Sequence, residues 1–248
     1  MKTLFRIVLG FNLASFFQLL RAGPREFSIA CRRAFDAARN VQLHEIPRIA
    51  LGDILGERRP NIRMTVARYE DGMLASNDAT ALLSILVAEN PREVLEIGTF
   101  MGHTTREMAE NLPTAVIHTV DLPENFSEQP SDLPKDDFHL IKRRIVGREF
   151  KDHPSANRIR QHFADTAQWN FAAAGEPTFF FIDGSHTYEY VNNDSEKCLA
   201  LGQGRGVFLW HDCDHNHPGV VRLIAEWRKL GRDVRRISNT SIAYWKNN

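Results

Sequence analysis

Two segments of the sequence end an apolar run with acids and histidines. In "FIDGSH" the run leads to Asp183 and His186, and in "FLWHDCDH" it leads to His211 and Asp212. If both runs are buried strands of one parallel sheet, the two carboxylates lie close together and need a cation or a shared proton. Carboxylate and water ligands suit magnesium, whereas imidazole favours softer ions. We therefore predict a divalent metal site at Asp183, Asp212 and His211, with magnesium, manganese, zinc or a metal-free acid-base cluster as the alternatives.

The surrounding pattern predicts the elements that position these residues. Apolar segments typical of strands alternate with helical ones and fall at 93–98, 115–121, 158–163, 178–183 and 206–212. This alternation implies a parallel sheet covered by helices on both faces. Two more strands, 233–238 and 241–246, are joined by a very short link and must be antiparallel. The predicted fold is α/β: a doubly wound, mostly parallel sheet of seven strands with a reversed C-terminal strand over residues 76–248, preceded by a helical cap over residues 1–75.

The turn after the first of these strands, "EIGTFMGH", predicts a small-molecule site. Its glycines, Gly98 and Gly102, allow a sharp turn and a close approach of a ligand. The turn lacks both the G-x-G-x-x-G spacing and a following lysine, which argues against a dinucleotide or phosphate loop. Glu96 would repel phosphate but could hold a cationic group, and Asp121, at the next strand end, could bind a ribose diol. The ligand so described has an adenosine-like sugar and a positive or zwitterionic tail, and S-adenosylmethionine fits this description.

The motif E-x-G-x-x-x-G, followed by an acid at the next strand end, resembles motifs I and II of the class I S-adenosylmethionine-dependent methyltransferases. The resemblance extends from about Ser76 to the C-terminus and includes the closing reversed hairpin. It implies the Rossmann-like methyltransferase fold. It also nominates Asp165, in "HFADTAQW", as a neighbour of the adenine ring. We also expect Thr104, in the helix after the turn, to contact the donor.

The two acid clusters are similar to those of a narrower group, the metal-dependent small-molecule O-methyltransferases of the catechol, sugar and antibiotic types. By this resemblance Asp183 and Asp212 bind the metal, and His186 takes the proton from the acceptor hydroxyl. His211 stands where such enzymes commonly carry an acid. The implied activity is methyl transfer to a hydroxyl oxygen of a small molecule. The rivals are a metal-independent methyltransferase and a catalytically silent adaptor that keeps the fold.

The amino-acid composition indicates which classes of partner the protein can bind. The 31 basic and 31 acidic residues cancel, which argues against nucleic acid and favours a small-molecule acceptor. Three cysteines without a CxxC pair argue against a disulfide framework and predict a cytoplasmic protein. We also expect a homo-oligomer.

Two segments outside the predicted motifs leave alternatives open. The N-terminal stretch Ile7–Leu20 is mostly apolar but too short to span a bilayer comfortably. It predicts an amphipathic helix that packs on protein, with peripheral membrane contact or an export signal as alternatives. Between Leu122 and Ala156, the basic residues Arg143, Arg144 and Arg148 predict a solvated charged face, or else a contact with an anionic substrate.

Overall fold

The computed structural model describes residues 41–64, 72–124 and 144–247. An eight-stranded sheet organises these residues, in the order β1-β7-β8-β6-β5-β2-β3-β4. The strands are β1 (Arg48–Ile49), β2 (Glu93–Ile97), β3 (Val116–Asp121), β4 (Ile159–Phe163), β5 (Phe179–Ile182), β6 (Gly206–Trp210), β7 (Arg235–Ile237) and β8 (Ala243–Asn247). Every neighbouring pair is parallel except those that β8 makes with β6 and β7. The carboxyl ends of the seven parallel strands therefore share one edge.

Helices cover the sheet and are α1 (Val41–Glu45), α2 (Leu51–Leu55), α3 (Ser76–Glu89), α4 (His103–Asn111), α5 (Tyr188–Leu201) and α6 (Pro218–Lys229). Two short 3₁₀ turns, Pro154–Arg158 and Phe171–Ala174, precede β4 and β5. The central strands form because their sequences are continuous apolar runs: all four residues of β5, "FFFI", are buried. A strand covered by helices on both faces has no polar face, so its sequence does not alternate.

The core consists of one apolar layer on each face of the sheet. One layer contains the stacked and edge-on rings of Phe208, Trp210, Trp227 and Trp245. The other lies between α3, α4 and the sheet and contains Leu82 and Ile85. Because the two layers fix the strands from both sides, the loops at the carboxyl edge start from rigid positions.

The predicted α/β fold is confirmed, and the sheet has one strand more than expected. The extra strand, β1, lies within the segment predicted as a helical cap and pairs with β7. A strand of two residues is too short to show a period in the sequence. The predicted N-terminal amphipathic helix and Arg143 lie outside the described residues. Among the residues that the structure describes, no helix is long and apolar enough to cross a membrane.

Candidate active site

A cavity of about 350 Å³ opens at the carboxyl ends of β2, β3, β5 and β6. Ligands of open α/β sheets bind at this edge. The structure brings nine residues singled out from the sequence to the wall of this cavity: Gly98, Gly102, Thr104, Asp121, Asp165, Asp183, His186, His211 and Asp212. Their individual roles stay predictions, but their convergence makes the cavity the candidate active site.

The glycine turn at the end of β2 depends on close backbone packing. Gly98 has φ +99°, and a Cβ added there would overlap the carbonyl oxygen of Asp183 at the end of β5. Gly102 has φ +88° and caps α4, where a Cβ would meet the ring of Phe150 at 2.6 Å. Any side chain at either position would both strain the backbone and displace a neighbour. The packing of the turn therefore requires glycine at both positions, whether or not a ligand binds there.

Glu96 lies beneath this turn and is fully buried, so its side chain is not part of the cavity wall. Its Oε2 accepts hydrogen bonds from Thr105 Oγ1 at 2.5 Å and Thr119 Oγ1 at 2.6 Å. Burial raises the pKa of this carboxyl to about 8, despite the two hydroxyl donors. Glu96 is thus neutral at neutral pH. Its contact with the donor stays a prediction.

Asp121, the acid expected to hold the ribose, is engaged by protein groups on the cavity wall. Its Oδ2 accepts from the peptide N–H of Phe100 at 2.7 Å, and its Oδ1 accepts from the N–H of Leu122 at 2.7 Å and from Arg144 Nη2 at 2.5 Å. Burial raises its pKa, and the charge of Arg144 opposes that shift. Three of about four lone-pair positions are therefore filled. One position remains open to a further donor, such as the ribose hydroxyl predicted from the sequence.

Arg144 corrects the expectation of a solvated basic face, because its side chain is only 1% exposed. It also donates to the carbonyl of Leu122 at 3.1 Å. Arg148 follows the expectation: it is 42% exposed and pairs with Glu149.

Asp165 lies across the cavity from the turn, after β4. Its Oδ1 accepts from the N–H of Ala167 at 2.9 Å, and its Oδ2 lies 3.4 Å from the hydroxyl of Tyr190. The first of these bonds is the local turn contact that the residue type favours. Ala164 and Val120 add apolar wall beside it. This end of the cavity suits a flat, largely apolar ring.

The opposite end of the cavity holds a histidine among three carboxylates. His211 Nδ1 lies 2.9 Å from Asp183 Oδ1 and 3.2 Å from Asp212 Oδ2, while its Nε2 lies 3.3 Å from Asp78 Oδ2. Burial by itself lowers the pKa of His211, but the charge of Asp183 and the hydrogen bonds that the imidazole donates to all three acids raise it well above the ordinary value. Asp78 is in turn fixed by the N–H and hydroxyl of Ser241 at 3.0 and 2.8 Å.

His186 forms a pair with Asp212 on the other side of this cluster. Its Nε2 lies 2.8 Å from Asp212 Oδ2, and its ring packs at 4.3 Å from that of His217. Burial opposes ionisation of Asp212, but hydrogen bonds from His186 and His211 outweigh it and hold the Asp212 pKa well below its usual range. Asp212 adopts φ +56°, a left-handed conformation that is uncommon for residues other than glycine. Strain of this kind at a cavity wall is typical of functional positions.

The donor atoms around His211 fit a divalent metal. One oxygen each from Asp183 and Asp212 and one nitrogen of His211 lie within 4.8 Å of one another. The other imidazole nitrogen faces Asp78, which reproduces the carboxylate-histidine-metal arrangement that fixes the tautomer of a metal-bound histidine. His186, Asp212 and His217 form a second group of the same kind.

Two residues important for this geometry were missed or misread from the sequence. Asp78 stands in the first turn of α3, where an acid is ordinary, and only the fold brings it to His211, 133 positions away. Arg144 stands in a basic run and reads as solvated. The mixed sequence around each carries no signal for its buried contact.

Comparisons with known proteins agree with this fold. A family described as a methyltransferase domain matches residues 95–230, more than half of the chain. A search of the curated proteins found no significant match. Among solved structures, a Staphylococcus aureus protein assigned as a caffeoyl-CoA O-methyltransferase is 13% identical, with 71% of this chain and 85% of that chain covered and a TM-score of 0.50. At that identity the similarity concerns the fold.

Two other solved structures are similar at lower TM-scores. A Klebsiella pneumoniae protein assigned as an O-methyltransferase is 17% identical over 86% of this chain and 97% of its own, with a TM-score of 0.47. A Bacillus cereus O-methyltransferase in complex with SAH is 14% identical over 83% and 90%, with a TM-score of 0.45.

Proposed function

The chain belongs to the methyltransferase family, of the class I S-adenosylmethionine-dependent type, and from that premise we propose that it methylates a hydroxyl oxygen of a small molecule. The observation that carries the proposal is the pair of His186 and Asp212, 2.8 Å apart, at the end of the cavity opposite Asp121. A donor held at one end would present its methyl group to a base at the other.

His186 has the geometry of a general base. Because Nε2 faces Asp212, its proton is held there, and Nδ1 is the nitrogen that accepts the proton of the acceptor hydroxyl. As the oxygen attacks the methyl carbon, the carbon-sulfur bond breaks and its electron pair returns to sulfur, leaving S-adenosylhomocysteine. The positive charge of the sulfonium is lost while one appears on His186, where Asp212 stabilises it. Alignment of donor and acceptor supplies much of the rate.

Asp183, Asp212 and His211 would hold a divalent cation in this proposal. Such an ion would polarise the acceptor hydroxyl and lower its pKa. A set with one imidazole favours manganese or zinc over magnesium, although magnesium remains compatible with the two carboxylates. Asp78 would keep the imidazole of His211 in the tautomer with its Nδ1 lone pair toward the other two acids.

The raised pKa of His211 favours a second, metal-free form of the same reaction. An imidazolium at this position carries the positive charge that the carboxylates require. In that form His211 is the internal counterion and His186 remains the base. The two forms differ in whether a divalent ion binds at Asp183.

The sequence-based expectations of a small-molecule acceptor, a homo-oligomer and a cytoplasmic location belong to this proposal. The balanced charge of the chain supports the first of them.

Calorimetry of the EDTA-treated protein tests the proposal. We expect S-adenosylmethionine to bind without metal, and manganese to give a separate binding heat that is lost in Asp183→Asn and kept in Asp152→Asn, an exposed acid outside the cavity. Donor binding with no metal heat would select the metal-free form. Failure of the donor to bind, alone or with magnesium or manganese, would overturn the proposed function.

A further inference from the structure

A second cleft of about 510 Å³ opens on the same carboxyl edge, beside the candidate active site. It is lined by residues of β1 and β7, by the β7–β8 turn and by the start of α3. Asp78 belongs to its wall and also contacts His211, which lines the donor cavity. The contact between Asp78 and His211 therefore links the walls of the two cavities.

Four charged side chains line this second cleft, two arginines and the acids Asp78 and Asp214. Arg48 and Arg236 are register partners on the neighbouring parallel strands β1 and β7, and both line the cleft. Register partners project to the same face of a sheet, so the two arginine side chains extend from neighbouring positions on that face. Like charges at directly opposed positions destabilise a sheet unless a counterion neutralises them.

No described residue forms an ion pair with either arginine. Neither arginine forms an ion pair or a side-chain hydrogen bond within the described ranges, and the Nε of Arg236 is buried there without an acceptor. The nearby acids are already engaged: Asp78 binds Ser241 and His211, and Asp214 binds the N–H of Asn216 and His217. A buried donor without a partner calls for an explanation, such as a ligand.

We propose that this cleft binds an anionic group, a carboxylate or a phosphoryl group, of the methyl acceptor. Paired guanidinium groups match the oxygens of either anion in charge and geometry. An acceptor anchored between Arg48 and Arg236 would extend past Asp78 and His211 toward His186. The identification of the ligand as the methyl acceptor rests on the proposed function, whereas the anion site itself rests on the two arginines.

The site is tested with simple anions. Thermal unfolding is followed as inorganic phosphate or acetate is added, with chloride at matched ionic strength as the reference for general salt effects. We expect at least one of the two anions to raise the melting temperature saturably. In the double variant Arg48→Gln with Arg236→Gln, the apparent affinity should fall by about ten-fold or more.

A matched control carries the same loss of charge at the opposite edge of the sheet. Arg92 and Arg205 precede β2 and β6, and their replacement by Gln should leave anion affinity within about two-fold of the original. Should the double cleft variant fail to fold, Arg48→Gln alone, at an exposed position, gives the same comparison. Acetate binding selects a carboxylate acceptor, and binding of phosphate alone selects a phosphorylated one.

Two outcomes overturn the proposal: no saturable effect of either anion, or equal effects in the cleft variant and the control. Donor affinity is measured in the same preparations. Normal donor binding without anion binding refutes this inference alone, whereas anion binding without donor binding refutes the proposed function and leaves the anion site in place.

Discussion

The acids at the two ends of the candidate active site lie in opposite electrostatic environments. At the donor end, burial raises the pKa of Glu96, which lies in β2 beneath the cavity wall, and Asp121, the last residue of β3, is paired with a buried arginine. At the acceptor end, beyond β5 and β6, Asp183 and Asp212 surround His211 together with Asp78. The donor end is thus neutral before any ligand arrives. At the acceptor end, hydrogen bonds from His211 and other donors outweigh burial and hold the pKa values of Asp78 and Asp212 below their usual ranges.

Under the proposed function, the difference follows from what each end would hold. A ribose and an adenine ring need shape and hydrogen bonds, and an unpaired charge in that wall would be costly when the ligand excludes water. A reacting hydroxyl loses a proton, so its surroundings must include groups whose protonation can change. The predictions below test this contrast, beginning with the largest effect.

Replacing His186 should have the largest effect and should act on the acceptor end alone. His186→Gln removes the proposed base, so we expect kcat to fall by about 10²- to 10⁴-fold with donor affinity unchanged. Turnover is measured as release of S-adenosylhomocysteine with an accepted substrate, and donor affinity by calorimetry. His215→Gln, at an exposed position of the loop that follows β6, is the control. A loss of donor binding in His186→Gln would erase the distinction between the two ends.

Replacing Arg144 should destabilise the fold through the donor end. Arg144→Leu leaves Asp121 buried and without its main cationic partner, which should lower the free energy of unfolding by about 3 kcal/mol or more. Denaturant unfolding measures the change, with the exposed Arg148→Leu as the control. Adding Asp121→Leu should restore much of the loss, because two apolar residues carry no unpaired charge. If the double variant is as unstable as the single one, the charge argument is wrong.

Replacing Asp121 should weaken the donor without removing the base. Asp121→Asn keeps the shape but loses a charged acceptor, so donor affinity should fall by about 10- to 100-fold. Calorimetry gives the affinity, and Asp152→Asn, an exposed acid, should change nothing. Unchanged affinity in Asp121→Asn would refute the ribose contact.

The last prediction concerns the pH dependence of stability, where each pH unit changes the unfolding free energy only slightly. Burial raises the Glu96 pKa from 4.5 to about 8, so between these values the folded protein keeps a proton that the unfolded chain has released. This group therefore favours folding at low pH, and its contribution falls by at most about 1.4 kcal/mol per pH unit as pH rises toward 8. Glu96→Gln cannot titrate, so its unfolding free energy should fall less steeply between pH 5 and 8.

Burial also raises the pKa of Asp194 to about 6. This group therefore lowers the unfolding free energy of both the original protein and Glu96→Gln as pH rises. The comparison of slopes therefore isolates Glu96. Parallel slopes for the two proteins would show that Glu96 is ionised in the fold, which would make the donor end charged like the acceptor end.

The contrast between the two ends also explains what could be predicted from the sequence. Strands such as β5 and β6 are apolar runs that end in acids, so both the fold and the edge that carries the site follow from local pattern. Contacts between residues that are distant in the chain do not follow from local pattern. The contact of Asp78 with His211 and that of Arg144 with Asp121 depend on which loops the fold brings together.

Residues within the sheet show a second limit of prediction from the sequence. Glu96 was expected to face the ligand because it stands near the end of β2, but its position on the strand directs it to Thr105 and Thr119 instead. Alternation along a strand decides such directions, and a strand buried on both faces leaves no polar face in the sequence to mark them.

The contact between Gly98 and the carbonyl of Asp183 links the two ends of the site. A larger residue at Gly98 would push directly on the backbone that carries one of the proposed metal ligands. Substitutions in the outer loops are therefore more compatible with a change of acceptor than substitutions in this turn. Laboratory evolution of the enzyme should accumulate changes around the turn's periphery while Gly98 itself stays invariant.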